Sequence, residues 1–209
     1  MIIAIDGTSG SGKSTVAKLL SESLNFELLN TGLIYRKITK ECLNQNIKQN
    51  NEIKVVEIIQ SISFDNLTQE NLHTEIISQM VPLYANNDKV RNEVRKIQKS
   101  KAKIKNIVVE GRDIGTVVFP EAEIKLFIDA NINERANRRM KQLGLTGNNE
   151  FKNIFENLEK RDNQDENRDH SPLKKALDAI IIDTSSKEVN EVVDLCNNII
   201  QNCLTTAST

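Results

Sequence analysis

Short apolar runs alternate with amphipathic stretches at both ends of the chain. The clearest apolar runs are β-branched and lie at residues 2–5, 107–109, 124–128 and 179–182. Continuous runs of this kind are typical of strands in a parallel sheet that is covered on both faces. Residues 26–29 form a weaker fifth candidate. The pattern predicts a buried, mainly parallel sheet.

Helical periodicity follows several of these runs. Residues 16–24 carry apolar side chains on one face, and apolar residues recur at steps of three and four from Val189 to Cys203. Ser185 and Glu188 have the spacing of a capping box before that last helix. Alternating strands and helices predict an α/β fold.

Two segments interrupt the alternation. Residues 30–102 show mostly helical periodicity and no clear strand, whereas residues 141–173 are polar and charged, with Gly144 and Gly147 near the start. We predict two insertions into one α/β domain.

Composition narrows the class of protein. The 209 residues carry 28 basic and 29 acidic side chains, for a net charge of −1, and only 4% are aromatic with no Trp. A protein that coats DNA or RNA usually has a basic excess or aromatic stacking surfaces, so we expect no nucleic acid polymer as partner. We also expect no membrane span and no signal peptide. Three cysteines without CxxC spacing favour reduced thiols and a cytoplasmic location.

A glycine-rich motif carries the chemistry. Residues 7–14, GTSGSGKS, match GxxxxGK[ST] between an apolar strand and a helix. The glycines let backbone N–H groups surround a phosphate at a helix N-terminus, Lys13 can reach the β- and γ-phosphates, and the Ser14 hydroxyl can bind Mg²⁺. We therefore predict an ATP and Mg²⁺ site formed by Gly7, Thr8, Ser9, Gly10, Ser11, Gly12, Lys13, Ser14 and Thr15.

A phosphate-binding loop alone does not name a reaction. The sequence has no NKxD motif of the kind that GTPases use to read their base. Acidic residues end two predicted strands, Glu110 and Asp129, but neither belongs to the Asp-Glu pair of a motor ATPase. We therefore expect a separate acceptor site.

Three further segments resemble one family. They are NTGLIYR at 30–36, EGRDIGTVVFP at 110–120 and RDNQDENR at 161–168. Together with the phosphate-binding loop they resemble bacterial cytidylate kinases, over residues 2 to about 203. The resemblance implies a three-layer P-loop kinase fold with a central parallel five-stranded sheet. It also implies one domain over 1–209, with a core at about 1–29, 103–140 and 174–204, a helical NMP-binding insertion at about 30–102 and a lid at about 141–173.

The resemblance also implies the reaction and its residues. Members transfer the γ-phosphoryl group of ATP to CMP or dCMP, in pyrimidine nucleotide metabolism. The catalytic residues would be Lys13, Arg112, Arg161 and Arg168. The substrate-binding residues would be Thr31, Arg36, Ser78, Arg91, Arg112, Asp113, Arg161, Asp165 and Arg168. Further lid cations could be Arg135, Arg138 and Arg139.

The sequence departs from the family pattern at two positions. Thr31 stands where the family usually has Ser. Pro82 lies where a serine usually contacts the base, nine residues before Arg91, and a four-residue insertion would instead give that place to Ser78. Asp113 accepting from the cytosine amino group and Arg91 donating to the ring acceptors would select cytosine over uracil.

Three alternatives stay open at this point. One is a small P-loop kinase acting on UMP or on a non-nucleotide acceptor, and another is a nucleotide-sensing module without catalysis. The third is a GTPase switch, which the missing NKxD motif weakens. The arginine set favours a kinase, because a sensor has no need of cations for an acceptor. We expect a cytoplasmic monomer.

Overall fold

The central sheet has five strands, and all of its pairings are parallel. In the computed structural model, which describes residues 1–65, 67–68, 71–103 and 106–206, the strands are β1 Ile2–Gly7, β2 Glu27–Asn30, β3 Ile107–Glu110, β4 Ile124–Asp129 and β5 Ile180–Asp183. Their order across the sheet is β2-β3-β1-β4-β5. The predicted five-stranded parallel sheet is confirmed, and the weak candidate at 26–29 forms its first edge.

Helices connect the strands, including those that periodicity predicts at 16–24, within 30–102 and at 189–203. They are α1 Lys13–Leu24, α2 Thr31–Asn44, α3 Glu52–Ser61, α4 Glu75–Ala85, α5 Asp88–Ala102, α6 Ile132–Leu143, α7 Asn148–Glu166 and α8 Val189–Thr206. Thus α2 to α5 lie between β2 and β3, and α6 and α7 lie between β4 and β5. A π-helical turn, Ile114–Val118, follows β3. None of the helices in the described ranges is long and apolar enough to cross a membrane.

Side-chain caps determine where the helices between β2 and β3 begin. Asn30 accepts a hydrogen bond from the Leu33 N–H, and Asn51, Thr74 and Asn87 play the same part for α3, α4 and α5. Because α2 begins directly after β2, its first residues lie at the carboxyl edge of the sheet.

Two apolar cores cover the two faces of the sheet. Ile3 and Ile5 of β1 pack with α1 and α8 in one core, and Ala4 packs with the helices between β2 and β3 in the other. This alternation along β1 follows from the two-residue period of a strand. The arrangement is the predicted three-layer sandwich of helices on both faces of a parallel sheet.

Two local predictions are wrong at the far edge. Ile180 and Ile181 of β5 are 38% and 56% exposed, because β5 pairs only with β4 and no second layer covers it fully. Ser185 and Glu188 form no capping box, since α8 begins at Val189 and the Ser185 hydroxyl donates to Asp183. The Glu188 N–H donates to Glu191 instead.

Candidate active site

The predicted site residues gather at the carboxyl ends of the parallel strands. The glycine-rich loop follows β1, Thr31 follows β2, Arg112 and Asp113 follow β3, and Asp129 ends β4. This edge is where open α/β sheets bind ligands. Residues more than a hundred positions apart in the chain therefore share one cleft.

The loop between β1 and α1 has the backbone of a phosphate cradle. Gly10 and Gly12 adopt left-handed φ angles of 77° and 91°, which glycine adopts without strain. A Cβ on Gly7 would run into the carbonyl oxygen of Ile128. The loop is also tied to its neighbours, since the Thr8 hydroxyl donates to Asp129 at 2.7 Å and the Thr184 hydroxyl donates to the Ser11 carbonyl at 3.0 Å.

Lys13 is a buried cation beside this loop. Its Nζ donates to the Thr8 carbonyl at 2.9 Å, and burial together with Arg112 lowers the pKa of Lys13 to about 7. A neutral carbonyl compensates a buried ammonium poorly. The surroundings of Lys13 therefore favour a bound anion, as a phosphate site requires.

Ser14 and Glu110 offer oxygen ligands at the mouth of the loop. The Ser14 hydroxyl donates to a Glu110 carboxylate oxygen at 2.8 Å, and burial raises the pKa of Glu110. A hydroxyl and a carboxylate are the hard oxygen donors that Mg²⁺ prefers. The predicted metal ligand Ser14 thus has a partner whose site role was not predicted, although its position at the end of a strand could have indicated one. Thr15, the last residue of the predicted loop, is exposed.

Arginines and aspartates of two segments form ion pairs with one another across the cleft. Arg112 Nε donates to Asp165 of α7 at 2.7 Å, and Arg168 lies 3.4 Å from Asp165 and 3.7 Å from Asp113. Arg112 and Arg161 hold the pKa of Asp165 below its usual value despite its burial. The predicted RDNQDENR segment and the predicted GRDIGTVVFP segment are therefore in direct contact.

Arg161 differs from the other arginines of the cluster. Within the described ranges, its guanidinium has no hydrogen bond or ion pair within contact distance, and burial and Arg112 lower the pKa of Arg161 to about 10. Cations that repel each other at a cleft favour an anionic ligand. Arg161 therefore has donors available for a ligand, as do Arg91 Nε and Arg168 Nη2, which are buried without a hydrogen-bond partner among the described residues.

The remaining predicted acceptor residues lie on α2, α4 and α5. Arg91 donates to Asp113 at 2.8 Å and to the Ala85 carbonyl, and it lies over the Tyr35 ring at 5.8 Å. Arg36 donates to the Ser78 hydroxyl at 3.0 Å and to the Leu72 carbonyl. Ser78 and Pro82 both lie on α4, but only Ser78 offers a hydroxyl, and that hydroxyl contacts a predicted acceptor arginine.

Thr31 lies in the same region, where its hydroxyl accepts a hydrogen bond of 2.9 Å from the Gln98 side chain. This contact joins α5 to the start of α2, so the Thr that replaces the usual Ser has a partner in the protein.

Asp6 is a site residue that sequence reasoning did not single out. Its carboxylate accepts hydrogen bonds of 2.8 Å from the N–H groups of both Ile114 and Gly115, at the start of the π turn. Burial raises the pKa of Asp6 to about 6. Since Arg112 and Asp113 directly precede the turn, Asp6 fixes the segment that carries them.

The three further arginines bind the protein itself. Arg135 is buried and contacts Asp162 and the carbonyls of Ser9 and Ala130, and Arg138 contacts the hydroxyl and carbonyl of Thr184. Arg139 donates to Gln142 on the surface of α6. Arg139 also lies near Arg36, whose pKa is lowered by burial and by the charge of Arg139.

The strand order and the phosphate-binding loop define the fold of the P-loop kinases. A solved shikimate kinase from Bacteroides thetaiotaomicron has a similar fold, at 14% identity and a TM-score of 0.51, over 96% of this chain and 98% of that one. A structure from Thermus thermophilus gives a TM-score of 0.53 at 18% identity, over 97% and 96% of the two chains.

Sequence comparison gives the family. A model of the cytidylate kinase family matches residues 3–202. Cytidylate kinases from Clostridium tetani and Thermosipho melanesiensis are 42% and 43% identical, covering 98% and 92% of this chain and 95% and 93% of theirs. The chain belongs to the cytidylate kinase family. Membership of this family makes it an ATP-dependent kinase.

Proposed function

We propose that this protein transfers the γ-phosphoryl group of ATP to CMP or dCMP, giving ADP and CDP or dCDP, in pyrimidine nucleotide metabolism. We further propose that it works as a cytoplasmic monomer, with no nucleic acid polymer and no membrane as partner. The observation that carries the proposal is the cluster of Arg112, Arg161, Asp165 and Arg168 opposite the phosphate-binding loop, because a second anionic substrate needs such cations. The name carried by the relatives agrees with it.

Donor binding is assigned to the glycine-rich loop. The N–H groups that follow Gly10 and Gly12 would cradle the phosphates at the N-terminus of α1, and Lys13 would neutralise the transferring group. Ser14, together with Glu110, would hold Mg²⁺. When bound, this ion neutralises charge on the phosphate oxygens.

Acceptor binding is assigned to side chains from α2, α4, α5 and α7. Arg36, with Thr31 and Ser78 nearby, would hold the acceptor phosphate, and Arg161 and Asp165 would lie near the ribose. Arg91 and Asp113 would read cytosine. A uracil would present an acceptor oxygen to the Asp113 carboxylate and leave it unpaired, which is costly in a buried site.

The chemical step needs little covalent help from the protein. An ionised oxygen of the CMP phosphate attacks the γ-phosphorus, and the bond to the β–γ bridging oxygen breaks as ADP leaves. No general base is required, because the nucleophile carries no proton. Lys13, Arg112, Arg161 and Arg168 would stabilise the charge that spreads over the equatorial oxygens.

The division of the chain follows the same proposal. Residues 30–102, which hold α2 to α5, would form the NMP-binding insertion, and residues 141–173, which hold α7, would form the lid. The remaining residues, about 1–29, 103–140 and 174–204, would form the core. A closing lid excludes water, which protects the transferring group from hydrolysis.

A coupled assay of ADP release tests the reaction. We expect turnover with CMP and dCMP well above that with UMP, AMP and GMP, and the ratio of CMP to dCMP turnover measures the preference between the two. A Lys13→Met enzyme serves as the control for contaminating kinases, and its turnover should fall by about 10³-fold or more. Absent turnover with CMP, or equal turnover with all five nucleotides, would contradict the proposed function.

A further inference from the structure

A buried bridge joins the phosphate-binding loop to helices α6 and α7. Asp162 of α7 accepts a hydrogen bond of 2.9 Å from the Ser9 N–H with one carboxylate oxygen and contacts Arg135 of α6 with the other. Arg135 in turn donates to the Ser9 carbonyl at 2.9 Å and to the Ala130 carbonyl at 2.9 Å. Both polar groups of the Ser9 backbone are therefore held from outside the loop.

This bridge sets the direction of the next donor in the loop. In a trans peptide the C=O and the following N–H point in opposite directions. Because the Ser9 carbonyl points at Arg135, the N–H of Gly10 points away from α6. Contacts at Gly10 are close as well, since a Cβ there would lie 3.6 Å from both Arg135 and Leu158. Helices α6 and α7 thus pack on the outer side of the loop.

The same helix carries the acceptor-side charges. Asp162 directly follows Arg161, and Asp165 lies three positions further along α7, which is about one turn. While Asp162 is bound to the loop, the distance from the loop to Arg161 and to the Asp165–Arg112 pair is therefore set as well. Donor and acceptor groups are joined through one carboxylate.

We propose that Asp162, completed by Arg135, is a positioning residue that holds the phosphate-binding loop and the arginines of α7 in register for phosphoryl transfer. The proposal rests on the proposed function and adds residues to it. We assign neither side chain a contact with the reacting groups. Their effect reaches the reaction through the Ser9 backbone on one side and through Arg161 on the other.

If the Arg135–Asp162 ion pair only stabilises the fold, a different result is expected. Apolar residues of similar volume often replace a buried ion pair without loss of stability. They cannot accept the Ser9 N–H or donate to the Ser9 carbonyl. Stability and turnover should therefore separate in the double variant Arg135→Met/Asp162→Leu if the pair positions the loop.

The test compares wild type, Asp162→Asn, the double variant and the matched surface control Glu159→Gln on the exposed face of α7. For each, kcat and KM are measured with CMP and with ATP, and thermal unfolding is followed by circular dichroism. We expect Asp162→Asn to lower kcat by about 100-fold with each KM changed less than about threefold, since a small displacement of reacting groups costs this much. We expect the double variant to unfold at a higher temperature than Asp162→Asn, because no charge is left buried and unpaired. It should still unfold below wild type, because the Ser9 N–H and carbonyl lose their partners, and it should keep a low kcat.

Two results would overturn the proposal. One is a kcat of Asp162→Asn within about threefold of wild type, measured beside an unaffected Glu159→Gln. The other is recovery of kcat together with stability in the double variant, which would leave only a structural ion pair. Failure of the proposed function is distinct, because wild-type enzyme would then show no turnover of CMP in the same experiment.

Discussion

Arg91 and Asp113 form a buried ion pair, with 2.8 Å between Nη2 and Oδ2, at the acceptor side of the cleft. Arg168 approaches the other oxygen of the same carboxylate at 3.7 Å. The two groups assigned to cytosine therefore bind each other directly. A base that enters must therefore offer Asp113 and Arg91 hydrogen bonds as good as the ones it disturbs, which favours a base with both a donor and acceptors on that edge.

Replacing Asp113 by Asn should narrow the preference for CMP over UMP. The amide can present a donor to the uracil oxygen, whereas the carboxylate cannot. We expect the ratio of kcat/KM for CMP to that for UMP to fall by about 10- to 100-fold, in line with hydrogen bonds to charged groups. An unchanged ratio would contradict the assignment of Asp113 to the base. Glu121→Gln, a carboxylate-to-amide change on an exposed turn, is the control.

Binding of ATP should be accompanied by proton uptake at Lys13. Burial and Arg112 lower the pKa of Lys13 to about 7, so the amine is mostly neutral at pH 8. Phosphate charges beside it favour the ammonium and raise its pKa. We expect net proton uptake on ATP binding at pH 8, measured by calorimetry in buffers of different ionisation enthalpy. In Lys13→Met the uptake should vanish, and a buffer-independent enthalpy in wild type would contradict the prediction.

Asp6 should give the fold an unusual dependence on pH. Burial raises its folded-state pKa from 3.8 to about 6, so between these values the folded state binds more protons than the unfolded state. The contribution to stability is therefore fully present below about pH 4 and is lost as the pH rises through 6. The loss is on the order of 3 kcal/mol.

Asp6→Asn isolates this effect, because an amide does not titrate. We expect the free energy of unfolding lost by Asp6→Asn, measured with urea, to shrink as the pH rises from 4 to 7. A loss that is constant over this range would show that the carboxyl of Asp6 titrates normally. Asp194→Asn on the exposed surface of α8 is a control for general charge effects.

The parts of the site that sequence could predict are local in the chain. The phosphate-binding loop depends on a backbone path over eight consecutive positions, and the glycines at positions 10 and 12 show the left-handed angles that the motif implies. The hydropathy pattern alone predicted the strands that end beside this loop. These features need no knowledge of which helix packs where.

Contacts between segments that are distant in the chain could not be predicted from the sequence. The local sequence does not distinguish Arg135 from Arg139. Arg135 is nevertheless buried, because Asp162, 27 positions later in the chain, lies beside it. Asp6 looks like any polar residue that ends a strand, and its role depends on a turn 108 positions away. The exposure of Ile181 depends on β5 being an edge strand, which its composition does not reveal.

Arg161 should cost stability while it supports turnover. Burial and the nearby Arg112 lower its pKa to about 10, so the folded protein destabilises the charge that Arg161 carries. Met has similar length, packs well and carries no charge. We therefore expect Arg161→Met to raise the melting temperature by a few degrees, at roughly 2–4 °C per kcal/mol for a chain of this size. The same change should lower kcat by about 10³-fold, because a positioned arginine supplies that much to phosphoryl transfer.

The neighbouring Lys160→Met provides the comparison for Arg161→Met, because Lys160 is exposed on α7 and its replacement should change neither quantity. Added sulfate should separate the two variants further. An anion between Arg161 and Arg112 removes their repulsion, so sulfate should raise the melting temperature of wild type and of Lys160→Met more than that of Arg161→Met. A lower melting temperature for Arg161→Met without sulfate would mean that Arg161 stabilises the fold. In that case the fold would not lose stability by keeping the charge of Arg161 available for an anionic substrate.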